Sequence, residues 1–424
     1  MNKFLYLPIF VLLLAGCNKG NKTTKLKPLF PGVADSSKSI IISNRLPSLP
    51  VNRKGTVTIS VPEQRDYSIE DLVDQYSYIC LETTKESLIG NIDQICRDSI
   101  FLFILDKRSK SVLRFDTTGH FLSRIGSKGK GPKEYISPSR IALDKSRREI
   151  CILDDDAWKL EYFNYNGDHL RTTPMYFDFS DLAFWGKRII LRARTDENGK
   201  WEPIDKKEVL ICDNNYKPLL TLFERPKDLS KDFHCEAVKP LKRFYDGIYF
   251  STMLSDTIWR ITNKSCDAMF VLKFPSRGKF IENDKLNELT DKKYEELINS
   301  EICFLGEYGI TPNISYFFIK IKDKYRSILS LIYNRKTRHI IYGKKSYPFL
   351  NRFKRLGDYF FDGIDFTGDD GTFINVQQPN NMISIFKSLN KRDLSFLPQK
   401  DKKMMEQIGE KDNPVLMIVK VKDF

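Results

Sequence analysis

A short segment rich in glycine and lysine is the first part of this sequence whose residue types could do chemistry. It runs from Gly126 to Pro138 and reads GSKGKGPKEYISP. Backbone amides flanked by glycines, together with lysine ammonium groups, can receive an anion. The segment lacks the Gly-Lys-Ser/Thr ending of a phosphate-binding loop, so a turn whose glycines serve backbone geometry is the alternative. Its candidate ligand-binding side chains are Lys128, Lys130, Lys133, Glu134 and Tyr135.

Two similar segments carry the other candidate side chains. Asp106 and Asp154 each end an apolar run, and Trp158 stands where the first segment has Lys110. An exposed indole can stack on a sugar or an aromatic ligand, and packing at a domain edge is the alternative. Asp154 begins three consecutive aspartates, but neighbouring acids point in diverging directions and a hard cation needs several converging oxygens. A solvated loop is therefore favoured over a calcium site.

Motifs of the common catalytic centres are missing from the sequence. The eight cysteines form no C-x-x-C pair, no H-x-H or H-E-x-x-H occurs, and no G-x-S-x-G marks a serine hydrolase. Seven cysteines besides Cys17 are an odd number, and any single disulfide among them cannot be assigned. We predict no metal and no cofactor, and the sequence assigns no catalytic residue.

The N-terminus indicates export and lipid attachment. Lys3 precedes an apolar run, Phe4–Ala15, that fits a secretory signal and is too short to span a bilayer. The run leads through Gly16 into Cys17, an ending that resembles the bacterial lipobox, in which the cysteine is acylated and the signal is cut just before it. An ordinary secretory signal with an accidental cysteine is the alternative. We predict a signal peptide over 1–16, lipidation at Cys17 and a location in the cell envelope, at the outer membrane.

The composition and charge limit the classes of binding partner that we expect. Residues 17–55 contain Lys, Asn, Ser and Pro with little periodicity, which predicts a flexible tether. The formal net charge is +14, but the 69 basic residues are scattered among 55 acidic ones. Because the chain carries an export signal and no basic stripe, we expect no nucleic-acid partner. An anionic glycan or lipid surface is favoured, and a solvated basic surface without a partner is the alternative.

An internal repeat predicts the elements that position these residues. The segment that begins ILDKRSKSVLRF at Ile104 recurs as ILDDDAWKLEYF at Ile152, an offset of 48, and further copies begin at Val209 and Asp256 near two and three periods. Each copy alternates short apolar runs with turn signals such as Asn166-Gly167. Four short antiparallel strands per 40–50 residues, roughly, is the period of a β-propeller blade.

The repeat predicts an all-β, six-bladed propeller over 56–424. Tyr76–Leu81 is expected to complete the sixth blade, so that the two ends of the chain close the ring and remove an exposed sheet edge. Helical spacing over 280–301 predicts a small helical insertion, either a lid or packing decoration. The b–c turns and the inter-blade connectors of a propeller emerge on one face, where the candidate side chains would share a rim. The predicted blades are 91–125, 139–174, 180–223, 241–273, 301–342, and a sixth from 359–361, 372–376 and 415–421.

Several segments resemble a known family. Phe115–Tyr135, together with Ser77–Ile92, Asp256–Ile261 and Asp412–Lys420, is similar to the six-bladed β-propeller lipoproteins of Bacteroides-type bacteria (Bacteroidetes), which are related to NHL-repeat propellers. The resemblance implies the fold and the envelope location. It implies little about activity, because a fold does not determine a function.

Two functions remain open at this point. The first is a monomeric, membrane-anchored binding module for a glycan or an envelope protein, without enzymatic activity. The second is a propeller enzyme, a lyase or hydrolase that acts on saccharides or lactones, with its catalytic groups dispersed over several blades. Converging carboxylates in a deep pocket would favour the enzyme, and a flat or merely basic rim would favour the binding module.

Overall fold

The coordinates are a computed structural model, and parts of the chain are described. These parts are residues 23–29, 39–131, 133–194, 198, 201–224, 241–251, 255–274, 290, 292–293, 296, 302–321, 328–346, 357, 364–368, 372–422 and 424. The predicted signal peptide, Cys17 and most of the predicted insertion at 280–301 lie outside them.

The described part of the chain contains thirty-two strands and four helices. The strands are β1 (Thr23–Leu26), β2 (Ile40–Ser43), β3 (Val51–Asn52), β4 (Val57–Ser60), β5 (Tyr67–Ser68), β6 (Val73–Cys80), β7 (Gln94–Arg97), β8 (Phe101–Asp106), β9 (Ser111–Asp116), β10 (Phe121–Arg124), β11 (Ser127–Lys128), β12 (Glu134–Tyr135), β13 (Pro138–Asp144), β14 (Glu149–Asp154), β15 (Lys159–Asn164), β16 (His169–Pro174), β17 (Phe179–Trp185), β18 (Arg188–Ala193), β19 (Lys207–Cys212), β20 (Pro218–Glu224), β21 (Leu241–Phe244), β22 (Gly247–Phe250), β23 (Thr257–Ile261), β24 (Cys266–Lys273), β25 (Ile302–Ile310), β26 (Ile314–Ile321), β27 (Ile328–Asn334), β28 (Ile340–Gly343), β29 (Lys345–Ser346), β30 (Phe366–Thr367), β31 (Phe373–Gln377) and β32 (Val415–Val421). The helices are α1 (Ile69–Leu72), α2 (Pro379–Ser388), α3 (Lys391–Phe396) and α4 (Gln399–Gln407).

Six antiparallel sheets form the six blades, as predicted. From the innermost to the outermost strand they are β7–β10, β13–β16, β17–β20, β21–β24, β25–β28, and β30, β31, β32 and β6. The predicted closure is confirmed, because β32 near the C-terminus pairs with β6, with Leu416 opposite Ile79. The innermost strand of the sixth blade is Phe366–Thr367. The predicted 359–361 strand lies outside the described residues.

The repeated c–d turns show why the sequence folds into equal blades. In the first two blades, Oδ1 of Asp116 and of Asn164 accepts the amide two residues further on, at 2.8 and 2.9 Å. Gly119 and Gly167 then adopt φ values of +96° and +94°, which glycine reaches without steric cost. Tyr216 takes the same place in the third blade with a φ of +62°. A short polar side chain and a left-handed residue therefore end each hairpin alike.

The hydrophobic core lies between neighbouring blades. Phe103 and Leu105 of the first blade pack against Ile150, Ile152 and Phe163 of the second, and all five are at most 1% exposed. Fully burying one such side chain contributes about 1.5–3 kcal/mol. These contacts hold the blades at fixed angles, and the turns at their ends are thereby positioned.

A belt formed by residues 23–29 and 39–68 surrounds much of the ring. It follows the outermost strands from the second blade to the fifth and then becomes the outermost strand of the sixth. Leu29 N donates to Met175 O at 2.8 Å, and Leu49 N donates to Thr221 O at 3.0 Å. Strand β4 pairs in parallel with β24, and β5 pairs in parallel with β29. Leu26 of β1 is fully buried against the second and third blades.

The belt differs from the predicted tether over 17–55. Residues 23–29 and 39–55 lie against the propeller and, in part, hydrogen-bond to it. The physical reason is that the outermost strand of a blade exposes unpaired N–H and C=O groups, which a further strand satisfies. The belt meets each blade over only a few residues, so it carries no periodic pattern in the sequence.

Three of the helices are an insertion that the sequence analysis missed. Helices α2, α3 and α4 lie between β31 and β32 of the sixth blade, and Met382 and Met405 pack into the core there. Of the insertion predicted at 280–301, the described atoms include a helix cap, in which Thr290 Oγ1 accepts the Lys293 amide at 3.3 Å. The described residues contain no helix with the length and apolarity needed to cross a membrane.

Candidate functional site

The b–c turns and the inter-blade connectors emerge together, as expected, on what we call the mouth face. Two aspartates show this directly. Asp106 ends the second strand of the first blade and accepts the amide of Gly90, in the connector that leads into that blade, at 2.6 Å. Asp154, at the same position in the second blade, accepts the amides of Ile136 and Ser137 at 2.7 and 3.0 Å.

These two aspartates fasten turns to connectors. Both are fully buried, and each also accepts an amide of its own b–c turn, from Ser109 at 3.0 Å and from Ala157 at 3.4 Å. A carboxylate that accepts several backbone N–H groups holds those amides in place. Their position on the mouth face agrees with the rim prediction, but their oxygens face backbone donors.

The glycine- and lysine-rich connector is folded on itself. Its ends pair in parallel as β11 and β12, and Glu134 Oε2 accepts the amide of Gly131 at 2.7 Å. A Cβ atom on Gly129 would lie 1.9 Å from that same oxygen, so the Glu134 carboxylate packs directly against this glycine. The anionic Glu134 therefore occupies the place where backbone amides would receive an anion. Three lysines of the connector are exposed: Lys128, Lys130 and Lys133.

The aromatic candidates serve mainly as packing. Tyr135 is 1% exposed; its hydroxyl donates to Ile125 O at 3.0 Å and accepts from Val112 N at 3.2 Å. Burial raises the pKa of this hydroxyl to about 12, so it is a permanent donor. Trp158 is partly buried against the core between the second and third blades. Its φ of +51° matches the +54° of Lys110, which confirms the equivalence of the two positions.

A group of charged side chains gathers at the mouth of the central channel, on the first three blades. Arg194 donates to Asp178 Oδ1 and to Asp155 Oδ2, at 3.0 Å each. Arg140 Nε lies 3.8 Å from Asp181 Oδ1, and both of these side chains are largely buried. We call this group the mouth cluster. Its members are Asp93, Lys107, Arg140, Asp155, Asp178, Asp181 and Arg194.

Lys107 is the exposed cation of the mouth cluster. Partial burial and the nearby Arg140 guanidinium lower the pKa of its ammonium, while Asp93, Asp155 and Asp181 oppose that change. Its backbone amide is fixed by Asp93 Oδ2 at 2.8 Å. Burial lowers the pKa of Arg194, but the nearby Asp155 and Asp178 carboxylates raise it by more, so the net shift is upward. The two cations therefore differ in character, since Arg194 is held by its carboxylates and Lys107 is open to solvent.

Below the mouth, polar contacts join the innermost strands of neighbouring blades around the channel. Lys242 Nζ, on the fourth blade, pairs with Glu307 Oε2, on the fifth, at 2.6 Å. Gln94 exchanges two hydrogen bonds with the backbone of Ile141, at 2.7 and 3.0 Å. Asp181 Oδ2 accepts the Leu241 amide at 3.2 Å. The cavity that the innermost strands enclose measures about 110 Å³. The cavity reaches the mouth cluster at Asp181, which lines it.

The chemistry available at the mouth is recognition of a polar, charged group. Four carboxylates and three cations alternate there. Within the described part of the chain, no three His, Cys, Asp or Glu side chains could together hold a metal ion. Lys107 and Asp155 lie in the two turns that were predicted to form the rim, but the residues predicted to bind a ligand there were Asp106, Asp154 and Trp158. Arg140 and Asp181 lie inside apolar strands, where sequence spacing does not separate a channel-facing charge from core.

These features define the class of this protein, a six-bladed β-propeller with a charged channel mouth and an N-terminal belt. Its sequence matches the family model described as "Domain of unknown function (DUF4934)" over residues 56–420. The chain belongs to the DUF4934 family. A comparison with curated proteins found no match.

Two solved structures similar to this chain come from species of Bacteroides. One, from Bacteroides fragilis NCTC 9343 and described as a "putative exported protein", is 17% identical, with a TM-score of 0.69. The similarity covers 86% of this chain and 100% of that one. Another, a DUF4221 family member from Bacteroides vulgatus ATCC 8482, is 11% identical, with a TM-score of 0.46, over 83% of this chain and 98% of that one. At these identities the similarity concerns the fold.

Proposed function

We propose that this protein is an exported lipoprotein, acylated at Cys17, whose propeller binds a polar ligand over the mouth cluster. The single observation that supports binding there is the exposed Lys107 among the carboxylates of three blades, at the mouth of the central channel. A glycan with charged groups or a segment of an envelope protein has the chemistry to match alternating charges. The lipobox-like segment that ends at Cys17 and the similar structure described as a "putative exported protein" support the envelope location.

A panel of charged and neutral oligosaccharides and envelope peptides tests the binding. We expect Lys107→Ala to weaken binding of the matching member about tenfold to a hundredfold, the loss of one charge-assisted hydrogen bond. Lys264→Ala is the matched control, since Lys264 is an exposed lysine of a c–d turn on the opposite face. Equal effects of the two substitutions would place the ligand elsewhere.

The enzymatic alternative is favoured by one observation, the lowered pKa of Lys107. A lysine with a lowered pKa is more often neutral, and a neutral amine beside a bound substrate can act as a general base in a lyase. The same panel is therefore followed for product release. Turnover that Lys107→Ala abolishes, with substrate still bound by Lys107→Arg, would establish the enzyme and replace the binding module.

The anchor is tested separately by cell fractionation. We expect the protein in the membrane fraction, labelled by a metabolic fatty-acid probe, and the Cys17→Ala variant unlabelled. A wild-type protein without label would refute lipidation and leave ligand binding at the mouth to be judged by its own experiment.

A further inference from the structure

The strand pair at the start of the belt presents an exposed face of mixed basic and apolar character. Side chains alternate along a strand, and while Leu26 of β1 is fully buried, Lys25 and Lys27 are exposed. Ile41 of β2 stands opposite Lys25 in the antiparallel register and is 55% exposed. Directly opposite residues project from the same side of a sheet. One aliphatic and two basic side chains therefore share a surface.

A tryptophan of the third blade extends this surface. Trp201 lies in the connection between β18 and β19 and packs partly against the core of the second and third blades. We call Lys25, Lys27, Ile41 and Trp201 the anchor-side patch. Beside it runs a groove of about 320 Å³, lined by Lys25, Lys27, Pro28, Leu29 and Trp201.

The patch lies where the chain would lead to its anchor. Thr23, the first described residue, is six residues after Cys17 in the sequence. Six residues span at most roughly 21 Å when fully extended. A diacylglycerol on Cys17 would therefore keep Thr23, the residue two positions before Lys25, within that distance of the lipid headgroups.

We propose that the anchor-side patch docks on anionic lipid headgroups and so fixes the orientation of the propeller on its membrane. This inference rests on the lipidation proposed above. Lysines are attracted to the negative surface of an anionic leaflet. Tryptophan is enriched at the membrane interface because its ring has an apolar body and a polar N–H. Docking would also remove the exposed Ile41 side chain from water, which is favourable for an apolar group.

Lipid is favoured over other occupants by proximity and charge. The anchor would bring the headgroups to the patch at a high effective concentration, which strengthens a weak contact without any new interaction. A second copy of this chain would bring two further lysines against Lys25 and Lys27, and like charges at a contact are unfavourable.

The experiment uses the acylated protein, reconstituted into phosphatidylcholine vesicles with and without phosphatidylglycerol. Brominated acyl chains quench nearby tryptophans, and the difference between wild type and Trp201→Phe isolates the signal of Trp201. Trp185→Phe is the control, because Trp185 ends the innermost strand of the third blade, away from the mouth face. We expect strong quenching of Trp201 and weak quenching of Trp185, and a larger difference with phosphatidylglycerol present.

A charge variant tests the electrostatic part. Each lysine near an anionic surface contributes roughly a factor of five, so Lys25→Gln with Lys27→Gln should lower the docked population about thirtyfold while acylation keeps the protein on the vesicle. The matched control is Lys264→Gln with Lys336→Gln, two exposed lysines in c–d turns. An unchanged signal in the first variant would overturn the proposal.

Other results separate this proposal from the proposed function. Acylated, membrane-bound protein in which Trp201 and Trp185 are quenched equally overturns the docking alone. Protein that is not acylated overturns the docking and the anchor together. Disulfide-linked dimers of Ile41→Cys that form on vesicles would assign the patch to a second copy of the chain and also overturn it.

Discussion

The contact between the first blade and the strand that closes the ring can be tested by adding one methyl group to a glycine. Gly119 and Gly167 hold the same place in the c–d turns of the first and second blades, with φ values of +96° and +94°. A Cβ on Gly167 would have Arg124 O as its nearest neighbour, at 3.4 Å. A Cβ on Gly119 would lie 2.2 Å from Cys80 O, in the outermost strand of the sixth blade. Alanine therefore meets the same backbone strain at both sites but a clash at only one.

The magnitudes follow from these contacts. An alanine at positive φ costs about 1 kcal/mol, and this is all we expect for Gly167→Ala. At Gly119 the clashing atom is a carbonyl oxygen, so the strand that closes the ring must move, which costs a further 1–3 kcal/mol, roughly. The hydrogen bond from Glu82 N to Gly119 O, 2.8 Å long, is disturbed as well and adds about 1 kcal/mol. We expect Gly119→Ala to lower the free energy of unfolding by about 3–5 kcal/mol in total.

Urea unfolding, followed by tryptophan fluorescence, measures both variants against wild type. Native-state hydrogen exchange adds the location, because amides of β6 should exchange faster in Gly119→Ala and at the wild-type rate in Gly167→Ala. Equal destabilisation of the two variants would refute the reasoning, because the clash between Cys80 O and the added methyl group would then have no energetic cost.

Further outcomes can be checked on the same protein. Because the pKa of Lys107 is lowered, its neutral fraction at a given pH exceeds that of an ordinary lysine, and an amine-acylating reagent should modify it before Lys264. The unfolded state then binds the proton more tightly, so stability should rise with pH just below 10.5 and Lys107→Gln should remove that rise. A thiol reagent should label Cys80 but not Cys151 in the folded protein, since Cys80 is exposed and Cys151 is fully buried; burial raises the pKa of both thiols, that of Cys151 to about 12. Leu26→Ala should cost about 2–5 kcal/mol if the belt is an integral part of the fold, and under 0.5 kcal/mol if it is loosely attached.

The fold was predictable because each blade repeats the same local solution. The runs that end in Asp106 and Asp154 are 48 residues apart in the sequence and occupy the same place in two blades. The ends of the chain were also informative, since Tyr76–Leu81 had no strand partner nearby and the sixth blade lacked an outer strand. The belt was not predictable in this way. Its contacts with each blade are a few backbone hydrogen bonds and a few buried apolar side chains such as Leu26 and Ile59, too few to leave a periodic pattern.

The site was harder to predict, because a charged residue in a turn looks the same in the sequence whether it faces a ligand or a backbone amide. Asp154 is buried and accepts amides, while its neighbour Asp155 reaches the mouth cluster through Arg194. Glu134 is a further example, because its carboxylate accepts the Gly131 amide of its own connector. Only the three-dimensional arrangement of three blades shows that Arg140 and Asp181 meet at the channel, since 41 residues separate them in the sequence.

The anchor-side patch and the mouth lie on the same face and in the same sector of the propeller. Met175, which accepts the hydrogen bond from Leu29, begins an inter-blade connector, and Trp201 lies in a b–c connection. Both therefore emerge on the mouth face, beside the second and third blades, which supply most of the mouth cluster. A propeller docked through the anchor-side patch would hold that mouth close to the membrane surface. The ligand that fits this geometry is a charged part of an envelope component that reaches the same surface, because a bulky soluble particle would collide with the bilayer before it reached Lys107.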